Sequence, residues 1–169
     1  MKKVKGFVLS LIAVMAMCAM ASCAGGNSIE GKWKVDDSSL KKLMGKDAEK
    51  GKVSATVDIT ADKAVVTVDM SMEESEIKMD MTLEATCEYT KTDTEVTVTP
   101  KEVKLVKLEL PDFLKKMAEA QNMSEEDMKK EFAKEFTDKP KEPQKLTYVL
   151  DGDKLTLKDE KEEIVLVRQ

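Results

Sequence analysis

From Ile77 to Tyr89 every odd-numbered residue is apolar or aromatic (Ile77, Met79, Met81, Leu83, Ala85, Cys87, Tyr89), and every residue between them is polar. Successive side chains of a strand point to opposite faces, so this stretch predicts a long strand with one buried and one solvated face. Val53, Ala55, Val57 and Ile59 alternate in the same way, as do Val66, Val68, Met70 and Met72. Val96 and Val98 open a further strand that continues through Val103 and Leu105 and then changes parity to Val106, Leu108 and Leu110. With Pro100 just upstream, that slip predicts a bulge or a break. Leu146, Tyr148 and Leu150 form another strand, followed by Leu155 with Leu157 and by Ile164 to Val167, with Asp151-Gly152 as a tight-turn signal in the hairpin. The predicted strands cover 31–36, 52–60, 64–72, 76–90, 94–109, 145–150, 154–158 and 163–168.

Two stretches break this rhythm. Between Ser38 and Lys50, Leu40, Leu43 and Met44 stand at helical spacing and predict a short helix after the first strand. Residues 111–136 read as a two-helix insert after the fifth strand. Its second helix has Ser124 as N-cap with Asp127 at the third position, Met123 and Met128 flanking the cap as a hydrophobic staple, and Met128, Phe132 and Phe136 on one face. Pro140 and Pro143 end the segment. No internal repeat or low-complexity tract interrupts this single-domain pattern.

Eight antiparallel strands with one apolar face each predict a mainly β fold, an eight-stranded up-and-down barrel, because closure removes the exposed sheet edges. The only tryptophan, Trp33, opens the first strand, and the only arginine, Arg168, closes the last. In a closed barrel those two strands are neighbours, which predicts a guanidinium stacked on the indole, a contact of about 0.5–2 kcal/mol. Two segments carry a resemblance: Ile29-Glu30-Gly31-Lys32-Trp33-Lys34-Val35, with its Gly-x-Trp triplet, and Tyr148 to Leu155 with the arginine near the end. In these features the chain, over most of residues 29–169, resembles the lipocalin superfamily, and more narrowly small bacterial lipocalin-like lipoproteins. The resemblance implies that Trp33 and Arg168 pack at the closed end of the barrel. The helical insert after the fifth strand departs from the family pattern.

The first residues change the picture from fold to location. Lys2, Lys3 and Lys5 precede a mostly apolar run from Phe7 to Met20, too short to span a bilayer comfortably, and small residues follow. This is the layout of a secretory signal peptide, residues 1–22. Met20-Ala21-Ser22-Cys23 resembles the bacterial lipobox and makes Cys23 the residue expected to carry lipid, with residues 23–28 as the tether; the alternative is an ordinary signal peptide cut near Ala24. Several acyl chains on Cys23 would anchor the domain firmly, whereas a single chain binds only marginally. Ala24 in place of an aspartate after Cys23, with no acidic run following, points to the outer membrane with the domain facing the periplasm.

Composition then removes function classes. Loss of residues 1–22 takes three lysines and no acids, moving the net charge from −5 to −8 over 147 residues. An acidic chain with one arginine is a poor partner for nucleic acid, which needs clustered basic groups on its phosphates. With Cys23 acylated, Cys87 is left without a partner for an intrachain disulfide. The chain has no histidine, which excludes Ser-His-Asp and Cys-His catalysis and the usual zinc sites. The acid pairs Glu73-Glu74, Glu125-Glu126 and Glu162-Glu163 sit in polar or helix-start positions, where solvated charge is the ordinary role. No enzymatic machinery, cofactor or metal-binding set is expected from this composition.

Strand parity places the predicted helices and the turn flanked by Met70, Met72, Met79 and Met81 at the open end of the barrel, together with every phenylalanine beyond residue 22. The candidate pocket is therefore Met70, Met72, Met79, Met81, Phe113, Met117 and Phe132. The first reading is a non-catalytic binding module for a small apolar or lipid-like molecule, since thioethers adapt to irregular shapes. A second is a structural or protein-interaction lipoprotein whose barrel is filled by its own side chains. A third takes the two Met-x-Met pairs as thioether ligands for Cu(I), although period-two spacing creates Met-x-Met wherever methionine serves as core.

Overall fold

In a computed structural model of the chain, residues 29–44, 51–74, 77–92, 94–109, 111–120, 122–137, 143–159 and 162–169 are described. Residues 1–28, with the predicted signal peptide, Cys23 and the tether, lie outside the described residues. The strands are β1 (Gly31–Val35), β2 (Gly51–Ile59), β3 (Lys63–Glu74), β4 (Ile77–Lys91), β5 (Glu95–Glu109), β6 (Gln144–Asp151), β7 (Lys154–Lys158) and β8 (Glu163–Arg168). Each pairs antiparallel with its neighbour in sequence and β8 pairs with β1, so the sheet closes into an up-and-down barrel. The described helices are α1 (Asp37–Met44), α2 (Asp112–Ala120) and α3 (Glu125–Thr137). No helix among the described residues is long and apolar enough to cross a membrane.

Alternation builds the core directly. Val57, Val66, Val68, Leu83, Ala85, Cys87, Val98, Leu155, Ile164 and Leu166 all point inward and are buried almost completely. These layers leave no room for solvent, so the body of the barrel is filled by side chains, as small eight-stranded barrels often are.

Two strand edges fall elsewhere than their periodicity predicts, and both have a local cause. The first strand ends at Val35 because the Asp36 carboxylate caps α1, accepting from the backbone N–H groups of Ser38 at 2.9 Å and Ser39 at 3.4 Å. The helix predicted from Ser38 accordingly starts at Asp37, and residues 45–50 lie outside the described ones. On β5, Thr82 of β4 faces Lys107 while Leu83 faces Leu105, so Val106 is an extra residue. A second extra residue, Lys101, sits between Glu102, which faces Thr86, and Pro100, which faces Cys87. The parity slip, predicted as a bulge or a break, is a bulge, but inward parity resumes at Leu108, two residues later than predicted. Val106 is 60% exposed and Leu108, at 6%, is the residue that returns to the core. Leu110 lies outside the described residues.

Candidate functional site

The barrel has two unlike ends. At the closed end the Trp33 indole is fully buried, and its Nε1–H donates to the Ile29 carbonyl at 2.7 Å. The Arg168 guanidinium carbon lies 4.3 Å from the indole centroid. Its Nη1 donates to the Glu30 carbonyl at 2.9 Å, and its Nε lies 3.4 Å from Asp153 Oδ1. Strand pairing forces this meeting, because Trp33 and Arg168 are direct partners across β1 and β8. The Tyr89 hydroxyl donates to the Thr60 carbonyl at 2.5 Å and that of Tyr148 to the Thr92 carbonyl at 3.3 Å, tying down the β2–β3 and β4–β5 turns at the same pole. This end is a sealed floor.

The opposite end is built from strands of unequal reach. β3 and β4 pair over twelve positions without a slip, from Lys63 opposite Glu88 to Glu74 opposite Ile77. This register sets Met70 opposite Met81 and Met72 opposite Met79 on the inward face, two cross-strand methionine pairs one above the other. Met70 is 4% exposed and Met81 2%, whereas Met72 and Met79 are half-buried nearer the tip of the hairpin. Gly51 of β2 pairs with Met72, and a Cβ there would come within 2.6 Å of the Ser71 carbonyl oxygen, so the close backbone approach beside this methionine requires glycine.

Among the described residues β5 pairs with β6 from Glu95 to Val98, opposite Thr147 to Gln144. Beyond Val98, β5 carries two bulges and the exposed charges of Lys101, Glu102, Lys104, Lys107 and Glu109. α3 packs against β5, and Met128 joins the core margin together with half-buried Val103 and Leu105. The predicted cap of α3 is present: the Asp127 N–H donates to Ser124 Oγ at 3.1 Å, and the Ser124 hydroxyl donates to the Asp127 carboxylate at 2.6 Å. Phe113, Met117 and Phe132 lie on α2 and α3, and their side chains are outside the described residues.

One polar group escaped the sequence. Gln144, the first residue of β6, pairs with Val98 and has the inward parity of Leu146 and Tyr148, and its Oε1 is buried with no hydrogen-bond partner among the described residues. A buried acceptor without a donor costs about 1–3 kcal/mol. Burial of Gln144 was not legible because its parity follows from where β6 begins, and a glutamine two residues before Leu146 reads equally well as loop.

A groove of about 420 Å3 runs over β2, β3 and β4, where Val53, Met70 and Met81 contribute to its lining between polar residues such as Asp69, Asp80 and Lys107. There the Asp80 carboxyl is held below its ordinary value first by a hydrogen bond to Ser71, then by Lys78 and Lys107. Lys107 is held above its own ordinary value by its hydrogen bond and ion pair to Glu109, with Asp80 and Asp69 adding to the effect. Such exposed networks satisfy one another. Among the described residues no three Asp, Glu or Cys side chains are grouped to hold a metal ion.

Chemically, the open end therefore offers apolar, polarisable surface on the β3–β4 wall, with α3 packed against β5 beside it. Comparison of the chain with protein-family models and with curated proteins gives no match in either case.

Proposed function

We propose that this chain is a lipocalin-like lipoprotein of the bacterial cell envelope, anchored through acylated Cys23, that binds a small apolar or lipid-like molecule at the open end of its barrel without catalysing a reaction. The observation that carries the reading is the contrast between the solvent-excluded body and the half-buried apolar residues above it. Met72 and Met79 near the hairpin tip, and Val103 and Leu105 on β5, are half-buried apolar surface. The ligand lies against Met70, Met72, Met79 and Met81, and Phe113, Met117 and Phe132 are the insert residues expected to complete the site.

Native mass spectrometry and thermal shift with fatty acids, fatty alcohols and a bacterial lipid extract test this. One retained apolar molecule per chain and a raised Tm are expected, since a ligand that binds only the folded state stabilises it. If no lipid is retained and Tm does not move, the ligand reading falls, and the structural or protein-docking lipoprotein with a filled barrel takes its place.

One observation favours Cu(I) binding as a second reading. The register turns two sequence-separated Met-x-Met motifs into facing pairs, and thioether sulfur is the ligand type that suits Cu(I). Met70→Leu/Met72→Leu keeps the wall apolar while removing two sulfurs. Cu(I) affinity that falls at least about tenfold in that variant supports the second reading, and equal affinity ends it.

A further inference from the structure

The chain enters its barrel through the sealed floor, and this fixes which way the open end faces. Ile29 is 1% exposed and holds the Trp33 indole through its carbonyl; the neighbouring Glu30 carbonyl takes the Arg168 guanidinium. The described residues therefore begin at the floor, with Ile29. Only Ala24 to Ser28 separate it from Cys23. The six Cα–Cα steps from Cys23 to Ile29 span at most about 22 Å when fully extended, well short of the fifteen-residue β4. The nine residues of β2, at about 3.3 Å each and tilted as barrel strands are, carry the wall roughly 20–25 Å in the opposite direction.

We infer that the floor lies against the membrane holding the anchor and that the open end points away from it, so that the domain takes its apolar ligand from the aqueous side rather than drawing it from its own bilayer. The inference rests on the acylation of Cys23 proposed above. A tether longer than the barrel would let the domain tumble and present either pole. One shorter than the barrel holds the Ile29 pole near the headgroups and leaves the Met72–Met79 tip too far away to reach the acyl chains. The direction of ligand entry follows from the same geometry.

The test uses the full chain, processed and acylated in a bacterial host, then reconstituted in phosphatidylethanolamine–phosphatidylglycerol vesicles containing a lipid with a nitroxide on its headgroup. A single cysteine is introduced and labelled with a fluorophore either at Asp62→Cys, in the exposed β2–β3 turn at the floor, or at Lys78→Cys, exposed on β4 beside the tip of the β3–β4 hairpin. Cys87 is buried and does not compete for label. Quenching at residue 62 is expected to exceed that at residue 78 by about threefold or more, because the two sites lie at opposite ends of the long β3–β4 hairpin. Equal quenching, or stronger quenching at residue 78, overturns the orientation. A Cys23→Ala protein that partitions into vesicles as well as the parent removes the anchor on which the inference rests, and it is read by flotation before any quenching is measured. As a second arm, transfer of a fluorescent fatty acid to the anchored protein is expected to be faster from added donor micelles than from the protein's own vesicles; the reverse order also overturns the inference.

Discussion

A Cβ on Gly31 would lie 3.1 Å from Nη1 of Arg168, and Gly31 itself has a φ of +126°. The glycine of the Gly-x-Trp triplet is thus fixed twice: by a backbone conformation that L side chains rarely adopt, and by the guanidinium that crosses it to reach the Glu30 carbonyl. Gly31→Ala is expected to destabilise the fold by about 1–3 kcal/mol. Gly152→Ala is the control. Gly152 also has a positive φ, +57°, but no neighbour within 4 Å of the added carbon, so its cost is expected to be smaller, about 1 kcal/mol. Urea unfolding of both variants measures the difference; equal losses would show that the contact with Arg168 adds nothing.

Trp33→Phe separates the two bonds that Trp33 makes. Phenylalanine keeps an aromatic face for Arg168 but has no N–H for the Ile29 carbonyl, which is left buried and unpaired. A loss of about 1–3 kcal/mol is expected from the orphaned acceptor. Hydrogen exchange would show faster opening at residues 29–35 than elsewhere. A uniform change across the barrel would mean that the indole acts by volume alone.

The barrel was legible because each strand is amphipathic at period two, and eight such strands have few ways to hide their edges. The meeting of Trp33 and Arg168 followed from closure. The facing methionines were half legible. Every β3–β4 pair has residue numbers that add to 151, so the two Met-x-Met motifs face one another only because the turn is centred between residues 75 and 76. Alternation predicts the face of each methionine, and the register alone predicts its partner. The start of α1 escaped for another reason: Asp36, Asp37, Ser38 and Ser39 are all capping residue types, and the choice of Asp36 is made by the barrel. Asp36 donates its N–H to the Val165 carbonyl at 2.9 Å, and Ser39 Oγ accepts from the Val165 N–H at 3.0 Å.

Val106 and Leu108 test the bulge directly. Sequence parity puts both in the core, whereas the structure leaves Val106 mostly in solvent and buries Leu108. Val106→Thr is expected to change stability by less than about 0.5 kcal/mol. Leu108→Ala should cost about 2–5 kcal/mol through lost contacts and the cavity left behind. Similar losses at the two positions, measured by denaturant midpoint at constant m, would place the parity change elsewhere on β5.

Asp36 links the α1–β8 junction to pH. Its carboxyl is held below the ordinary value of 3.8, first by the hydrogen bond from the Ser38 hydroxyl and then by the backbone N–H groups of Ser38 and Ser39, with Lys154 adding charge, against a smaller opposing effect of burial. The folded state thus binds this proton less readily than the unfolded chain. The stabilisation is complete above the ordinary carboxylate range and is lost as pH falls through the lowered value. Asp36→Asn keeps a capping side chain but removes the charge, so the variant should lose less stability than the parent between pH 7 and pH 3. At pH 7 it should be the less stable of the two, and the gap should narrow on acidification as the parent carboxyl protonates. Parallel stability curves for parent and variant across that interval would mean that the Asp36 charge is not coupled to folding, leaving the cap to act through hydrogen bonds that asparagine supplies equally well.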